Sequence, residues 1–192
     1  LGHVFASGDV FGIDPDMITF AKGITSGYFP LGGVIISERL LEELRRSNHP
    51  DALFGHGLTY TSHPIGCAVA LKNLDLLEEG VLQHTREIAP YFQAQLRTLE
   101  ELPLVGEVRG VGLIAAVELV ADKATKAPWG KPAALGALVN GFLQQNGVIS
   151  RNMGDAIAFC PPLIITEAQI DAVIDAFERS LAAALPQVHP QG

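Results

Sequence analysis

Two hydrophobic rhythms alternate along this chain. Between residues 10 and 40, Met17-Ile-Thr-Phe-Ala21 and Leu31-Gly-Gly-Val-Ile-Ile36 are short apolar runs divided by a stretch punctuated with Gly and Pro, which predicts two buried strands joined by a turn. Leu40 to Arg46 reads as a brief helix ahead of a polar, Gly-rich stretch at 47–57. From Pro64 the spacing becomes helical, and Ile65, Val69, Leu71, Leu74, Leu76 and Leu77 make a broad apolar stripe ending near Gly80. A second helical pattern runs from about Val81 to Leu102 with Pro90 near a bend, so the pair resembles a long connector. After Pro103 the text is glycine-spaced and strand-like, followed by a helix from about Pro132 to Gln145. A strand pair at Val148–Ser150 and Ala156–Phe159 then precedes an amphipathic helix, Glu167 to Leu185. Thr166 and Gln169 form a capping box before that helix, each side chain satisfying the other residue's orphan amide. The order of elements predicts a small α+β domain appended to the remainder of a larger α/β one.

The 192 residues are 48% hydrophobic and 18% charged, ordinary globular composition. A formal net charge of -8 argues against a nucleic-acid backbone or an anionic membrane surface as partner, since both require clustered Lys and Arg. A small-molecule role is expected instead. Cys67 and Cys160 are flanked by small or apolar residues, which predicts two buried free thiols in a reducing compartment, the cytoplasm. No long apolar run or secretion signal is present in these residues. Leu1 opens in what reads as the middle of a domain, and we expect the natural polypeptide to continue upstream.

Lys22, one of five lysines, directly follows the apolar run Met17–Ala21 and precedes Gly23. Its amine either ends a strand in solvent or, if shielded enough to lose its proton, can form a Schiff base with an aldehyde at the carboxyl end of a strand, where α/β sheets place ligands. Gly57-Leu-Thr-Tyr-Thr-Ser-His-Pro64 is a hydroxyl-rich loop entering a helix with proline in its first turn. Such hydroxyls are either plain helix caps or, with free amides and the positive end of the helix dipole, a phosphate site. Arg151 lies between two apolar segments in Gly147-Val-Ile-Ser-Arg-Asn-Met-Gly-Asp155. From the residues alone it reads as a surface or turn arginine paired with Asp155. His56 and His63 have no cysteine or carboxylate companions, so no metal site is expected. The glycines of Arg109-Gly-Val-Gly are not a dinucleotide fingerprint, and Lys123 to Lys131, with Trp129, reads as a surface loop.

The string Phe11-Gly-Ile-Asp-Pro-Asp-Met-Ile-Thr-Phe-Ala-Lys-Gly-Ile-Thr-Ser-Gly-Tyr-Phe-Pro-Leu-Gly-Gly-Val closely resembles the surroundings of the cofactor lysine in class III aminotransferases of the omega type. The Gly57–Pro64 loop resembles that family's Gly-Phe-Thr-Tyr-Ser-Gly-His-Pro, with Leu58 replacing phenylalanine and Ser62 replacing glycine. The Arg151 segment resembles a family segment ending in Pro-Pro-Leu, and Arg109-Gly-Val-Gly-Leu recurs there as scaffold. The resemblance runs from Val4 to about Leu185 and implies an α/β chain of fold type I: residues 1–78 as the carboxy-terminal part of the large domain, 79–103 a connecting helix, and 104–192 a small α+β domain. It also implies pyridoxal 5'-phosphate held by Lys22 as a Schiff base, Thr59 hydrogen-bonded to the cofactor phosphate of the neighbouring subunit, and Arg151 on the substrate carboxylate. The expected activity is ping-pong transamination between a primary amine or omega-amino acid and a keto acid such as pyruvate, in a homodimer with shared active sites. An aminomutase or racemase, or a non-catalytic fragment, is the alternative. Members of that family are longer at the amino end, where they carry the aspartate that pairs with the pyridine nitrogen. The 192 residues alone are therefore expected to be inactive.

Overall fold

The computed structural model describes residues 1–46 and 55–188; most of the polar stretch expected at 47–57 lies outside them. The chain divides into two compact units, one of residues 3–80 and the other of 1–2 with 81–192.

In the first unit, helix α1 (Ala6–Phe11) is followed by strands β1 (Met17–Ala21) and β2 (Gly32–Ile36), an antiparallel hairpin in which Met17 faces Ile36 and Ala21 faces Gly32. Helix α2 (Glu38–Arg46) follows at once. The carboxylate of Asp16 joins the two, accepting hydrogen bonds from the Arg39 guanidinium and from the Ser37 hydroxyl at 2.8 Å, which in that order hold its pKa below the usual value. Helix α3 (Pro64–Leu76) begins with proline in its first turn, where the missing N–H has no partner to lose. The hairpin forms where the pattern places it but is not buried: Met17, Val34, Ile35 and Ile36 are all exposed. The reason is topological, since β1 and β2 pair only with each other among the described residues.

The second unit starts where the helical path breaks at Gly80, inside the wide turn Leu77–Val81. Helix α4 (Leu82–Thr98) is no bare connector: Ile88, Phe92 and Leu96 enter the core of this unit. Pro90 stays inside α4 on its exposed side. Strands β3 (Val105–Val111), β4 (Ile114–Leu119), β5 (Arg151–Met153) and β6 (Ala156–Phe159) make an antiparallel sheet of order β3-β4-β6-β5. Alternate residues Ala115, Val117 and Leu119 of β4 join Phe92, Phe177 of helix α6 (Glu167–Val188) and Leu135 of helix α5 (Ala134–Gln145) in one cluster. Each fully buried Leu or Phe contributes roughly 1.5–3 kcal/mol. The Thr166 capping box forms as read, with Gln169 N–H to Thr166 Oγ1 at 3.3 Å and Thr166 N–H to Gln169 Oε1 at 3.0 Å.

Two expectations are corrected. The first strand of the late pair is Arg151–Met153 rather than Val148–Ser150, because the tight turn at Gly154 (φ 69°) sets Arg151 opposite Ala158 and leaves 148–150 without a partner strand. The two cysteines are free but exposed. Cys67 sits one position beyond buried Gly66 on α3, about 100° around the helix, and Cys160 follows buried Phe159, pointing away from the core by strand alternation.

Candidate functional site

Lys22 is where the extended β1 backbone turns abruptly. Ala21 is fully extended (φ -165°), and Lys22 adopts a left-handed φ of 51° as the first residue of a 3-10 turn, Lys22–Thr25. A non-glycine residue in that region costs on the order of 1–3 kcal/mol, so it persists only where its surroundings fix it. Thr25 is buried and donates its hydroxyl to Phe29 O at 2.6 Å, while Ser26 N–H closes onto Gly23 O at 3.2 Å. From α3, the Asn73 carboxamide donates to Gly23 O at 2.9 Å and Ile24 O at 3.2 Å. The Lys22 side chain itself is exposed, and among the described residues its amine has no partner.

The loop bearing Thr59 belongs to the same unit. A turn from Leu58 O to Thr61 N–H at 3.0 Å presents Thr59 to solvent, and Ser62 has φ 59°. That left-handed backbone explains why the resembled family has glycine at this place, and Ser62 meets it at some cost in strain. Among the described residues no side chain caps the first turn of α3. The Phe29 ring connects the two loops: its centroid is 5.2 Å from that of His63, and it lies so close to α3 that a Cβ on Gly66 would come within 2.9 Å. Lys22 and Thr59 thus stand on segments braced against one helix.

Arg151 lies in the other unit, on edge strand β5, exposed. Pairing with Asp155 does not occur. Asp155 instead caps α5, accepting from Ala133 N–H at 3.2 Å and Gly136 N–H at 2.8 Å, and the Arg151 guanidinium has no partner among the described residues. A cavity of about 710 Å³ in this unit, lined by residues such as Phe92, Val148, Pro162, Thr166 and Arg179, does not include Arg151. The sequence alone points neither to Asn73 nor to the capping role of Asp155. Asn73 leaves only a trace: it lies four residues after Val69 and four before Leu77, so a polar side chain sits on the apolar stripe of its helix. Among the described residues no helix is long and apolar enough to cross a membrane, and no cluster of three metal-ligating side chains occurs.

The sequence profile of aminotransferase class III matches residues 1–181. A putrescine–pyruvate aminotransferase of Pseudomonas aeruginosa is 40% identical over 182 residues, covering 94% of this chain and 39% of that protein. A gamma-aminobutyrate transaminase of Solanum lycopersicum, named as mitochondrial, is 34% identical over 182 residues, 94% of this chain and 35% of its own. Of solved structures, a transaminase with L-alanine aligns at a TM-score of 0.91 and 43% identity over 97% of this chain and 44% of that one. The omega transaminase of Pseudomonas jessenii in complex with PMP aligns at 0.91 and 38% identity, over 100% of this chain and 42% of that one. This chain therefore spans less than half the length of these relatives. Its fold is that part of a fold type I transaminase, and with the profile matched over nearly its whole length the chain belongs to the class III aminotransferases.

Proposed function

We propose that the complete polypeptide transfers an amino group from a primary amine or omega-amino acid to a keto acid such as pyruvate. The observation that carries this reading is Lys22, an exposed amine with no partner among the described residues, set by left-handed backbone at a strand–turn junction in a chain of this family. Class III aminotransferases use pyridoxal 5'-phosphate. The residues present fit it: a free amine for the aldehyde at Lys22, and for a phosphate the exposed hydroxyl of Thr59. Relatives named for putrescine with pyruvate and for diaminobutyrate with 2-oxoglutarate support donors with a distal amine and keto-acid acceptors.

When bound, the cofactor supplies an aldehyde that condenses with amines and a ring that draws electrons from the carbon bearing the amino group. Lys22 Nζ would hold the cofactor. Once freed, the same amine would take the proton from the substrate carbon that bears nitrogen and give it up again, as general base and then general acid. Arg151 holds the carboxylate of the keto acid through its planar fork. Thr59 would donate its hydroxyl to the phosphate of a cofactor held mainly by a second copy, in a homodimer with shared sites. Residues 1–78 then complete the large cofactor domain, 79–103 lead out of it and 104–192 form the small domain. Two free cysteines suit a reducing cytoplasm.

In the complete polypeptide, Lys22→Ala should abolish both the yellow colour of the bound cofactor and amino transfer. Borohydride followed by peptide mapping should fix the cofactor to Lys22 in the parent and to nothing in the variant. A lysine still labelled in Lys22→Ala would sink the assignment.

A further inference from the structure

The backbone that aims Lys22 is held from outside its own turn. Lys22–Thr25 is a four-residue 3-10 helix, a form with poorer hydrogen-bond geometry than an α-helix, continued by Ser26 N–H to Gly23 O at 3.2 Å and Tyr28 N–H to Thr25 O at 3.0 Å, with Lys22 at φ 51°. The Asn73 carboxamide, from a residue 50 positions later in the chain, spans the carbonyls of Gly23 and Ile24. Only the NH2 end of that side chain can face two carbonyl oxygens, so its orientation is fixed by chemistry. Asparagine is also a weak helix former on a face otherwise apolar, a position where helix stability alone favours leucine or alanine.

We propose that Asn73 is a positioning residue for Lys22: by tying the carbonyls of Gly23 and Ile24 to α3 it holds the lysine backbone left-handed and so fixes where Nζ delivers its proton. The proposal rests on the reading of Lys22 as the cofactor lysine. It extends the site by a side chain that touches neither cofactor nor substrate, since all of its action passes through the backbone of Lys22. Misplacing a proton-transferring group by a fraction of an ångström slows the chemical step while leaving most of the binding energy in place.

The test is a cycle in the complete, cofactor-loaded protein. Single-turnover rates with a primary amine, expressed per loaded site so that unfolded protein does not count, are measured for the parent and for Asn73→Ala. They are measured again in Lys22→Ala supplied with methylamine as a free proton carrier. With Lys22 present the substitution should slow proton transfer about tenfold and raise the isotope effect of a deuterated donor. With methylamine in its place, the substitution should change nothing. Asn73→Asp, which keeps the shape but turns an acceptor toward both carbonyls, should behave in the same way. Independently of activity, amide hydrogen exchange at Ser26 and Tyr28, whose N–H groups close this turn, should quicken in both variants while helix α6 stays protected. Equal slowing with Lys22 and with methylamine would leave Lys22 in its role and overturn the proposal alone. Unimpaired turnover in Lys22→Ala without methylamine would overturn the reading of Lys22, and this proposal with it.

Discussion

Lys22, Thr59 and Arg151 share one physical trait: each is an exposed polar side chain with no partner among the described residues. Groups held ready in this way suit ligands rather than stability. For Thr59 the expected consequence is narrow. Thr59→Ala in the complete protein should weaken cofactor affinity by roughly 1–2 kcal/mol, the worth of one hydrogen bond to a charged acceptor. Equilibrium dialysis against the free cofactor measures this, and unchanged affinity would remove Thr59 from the site. Arg151 calls for a test with two arms, because its proposed partner is a carboxylate that simple alkyl or aryl amines lack. Arg151→Ala should impair the keto-acid half-reaction by about 1.5–3 kcal/mol and leave the half-reaction with a carboxylate-free amine nearly unchanged. Single-turnover absorbance follows each half separately, and equal losses would return Arg151 to a structural role. Lys22 was legible because an apolar run, a lysine and a glycine stand in immediate succession within a longer string of family wording. Asn73 was not, since a lone asparagine within a helix looks merely unfavourable until the fold brings it to carbonyls 50 residues away.

Among the elements, those with strong local signals are read most faithfully from sequence. The capping box, the helix α3 and the strand Ala156–Phe159 all form where the pattern puts them, although Ile65, Leu71 and Leu76 of the α3 stripe are exposed. What local pattern cannot supply is the partner. The shift of β5 to Arg151–Met153 follows from a turn geometry at Gly154 that hydrophobicity does not encode, and it moves Arg151 from a loop into an edge strand. Asp155 shows the same limitation. Beside an arginine in sequence it suggests an ion pair, yet its carboxylate is engaged by two amides at the start of α5, whose preceding residue Ala133 has φ 67° and no capping side chain of its own. Asp155→Ala should therefore cost about 1–2 kcal/mol, as loss of an N-cap does, and Asp155→Asn should recover only part of it, because its single amide oxygen accepts one of the two bonds while its NH2 faces the other N–H. Urea denaturation of the complete protein should register a lower midpoint at unchanged slope for the alanine variant and an intermediate midpoint for the asparagine variant. Equal losses in both variants would mean that one retained acceptor adds nothing, and would overturn the cap.

At the scale of the whole molecule, the two units differ in how well they bury their strands. The second covers alternate residues of β4 with helices, whereas the first leaves Met17 62% and Val34 57% exposed on a hairpin whose outer edges have no partner among the described residues. An apolar run such as Gly-Gly-Val-Ile-Ile, without polar alternation, is the wording of a strand covered on both faces. The covering material is thus expected to come from the rest of the polypeptide, in keeping with relatives more than twice as long as this chain. Unpaired edges flanked by exposed Val and Ile are templates for intermolecular pairing. The isolated 192 residues should consequently associate in solution, and light scattering should show mass growing with concentration where the complete protein shows a fixed one. Replacing Val34 with lysine in the isolated chain should curb that growth, because a charge on the exposed strand blocks stacking without touching the second unit. The isolated chain should also show no turnover with any amine and keto acid, since one of its proposed cofactor residues acts on a site held mainly by another copy and the hairpin that leads into Lys22 lacks its cover. Measurable transamination by a monodisperse preparation of these residues alone would contradict both halves of that expectation.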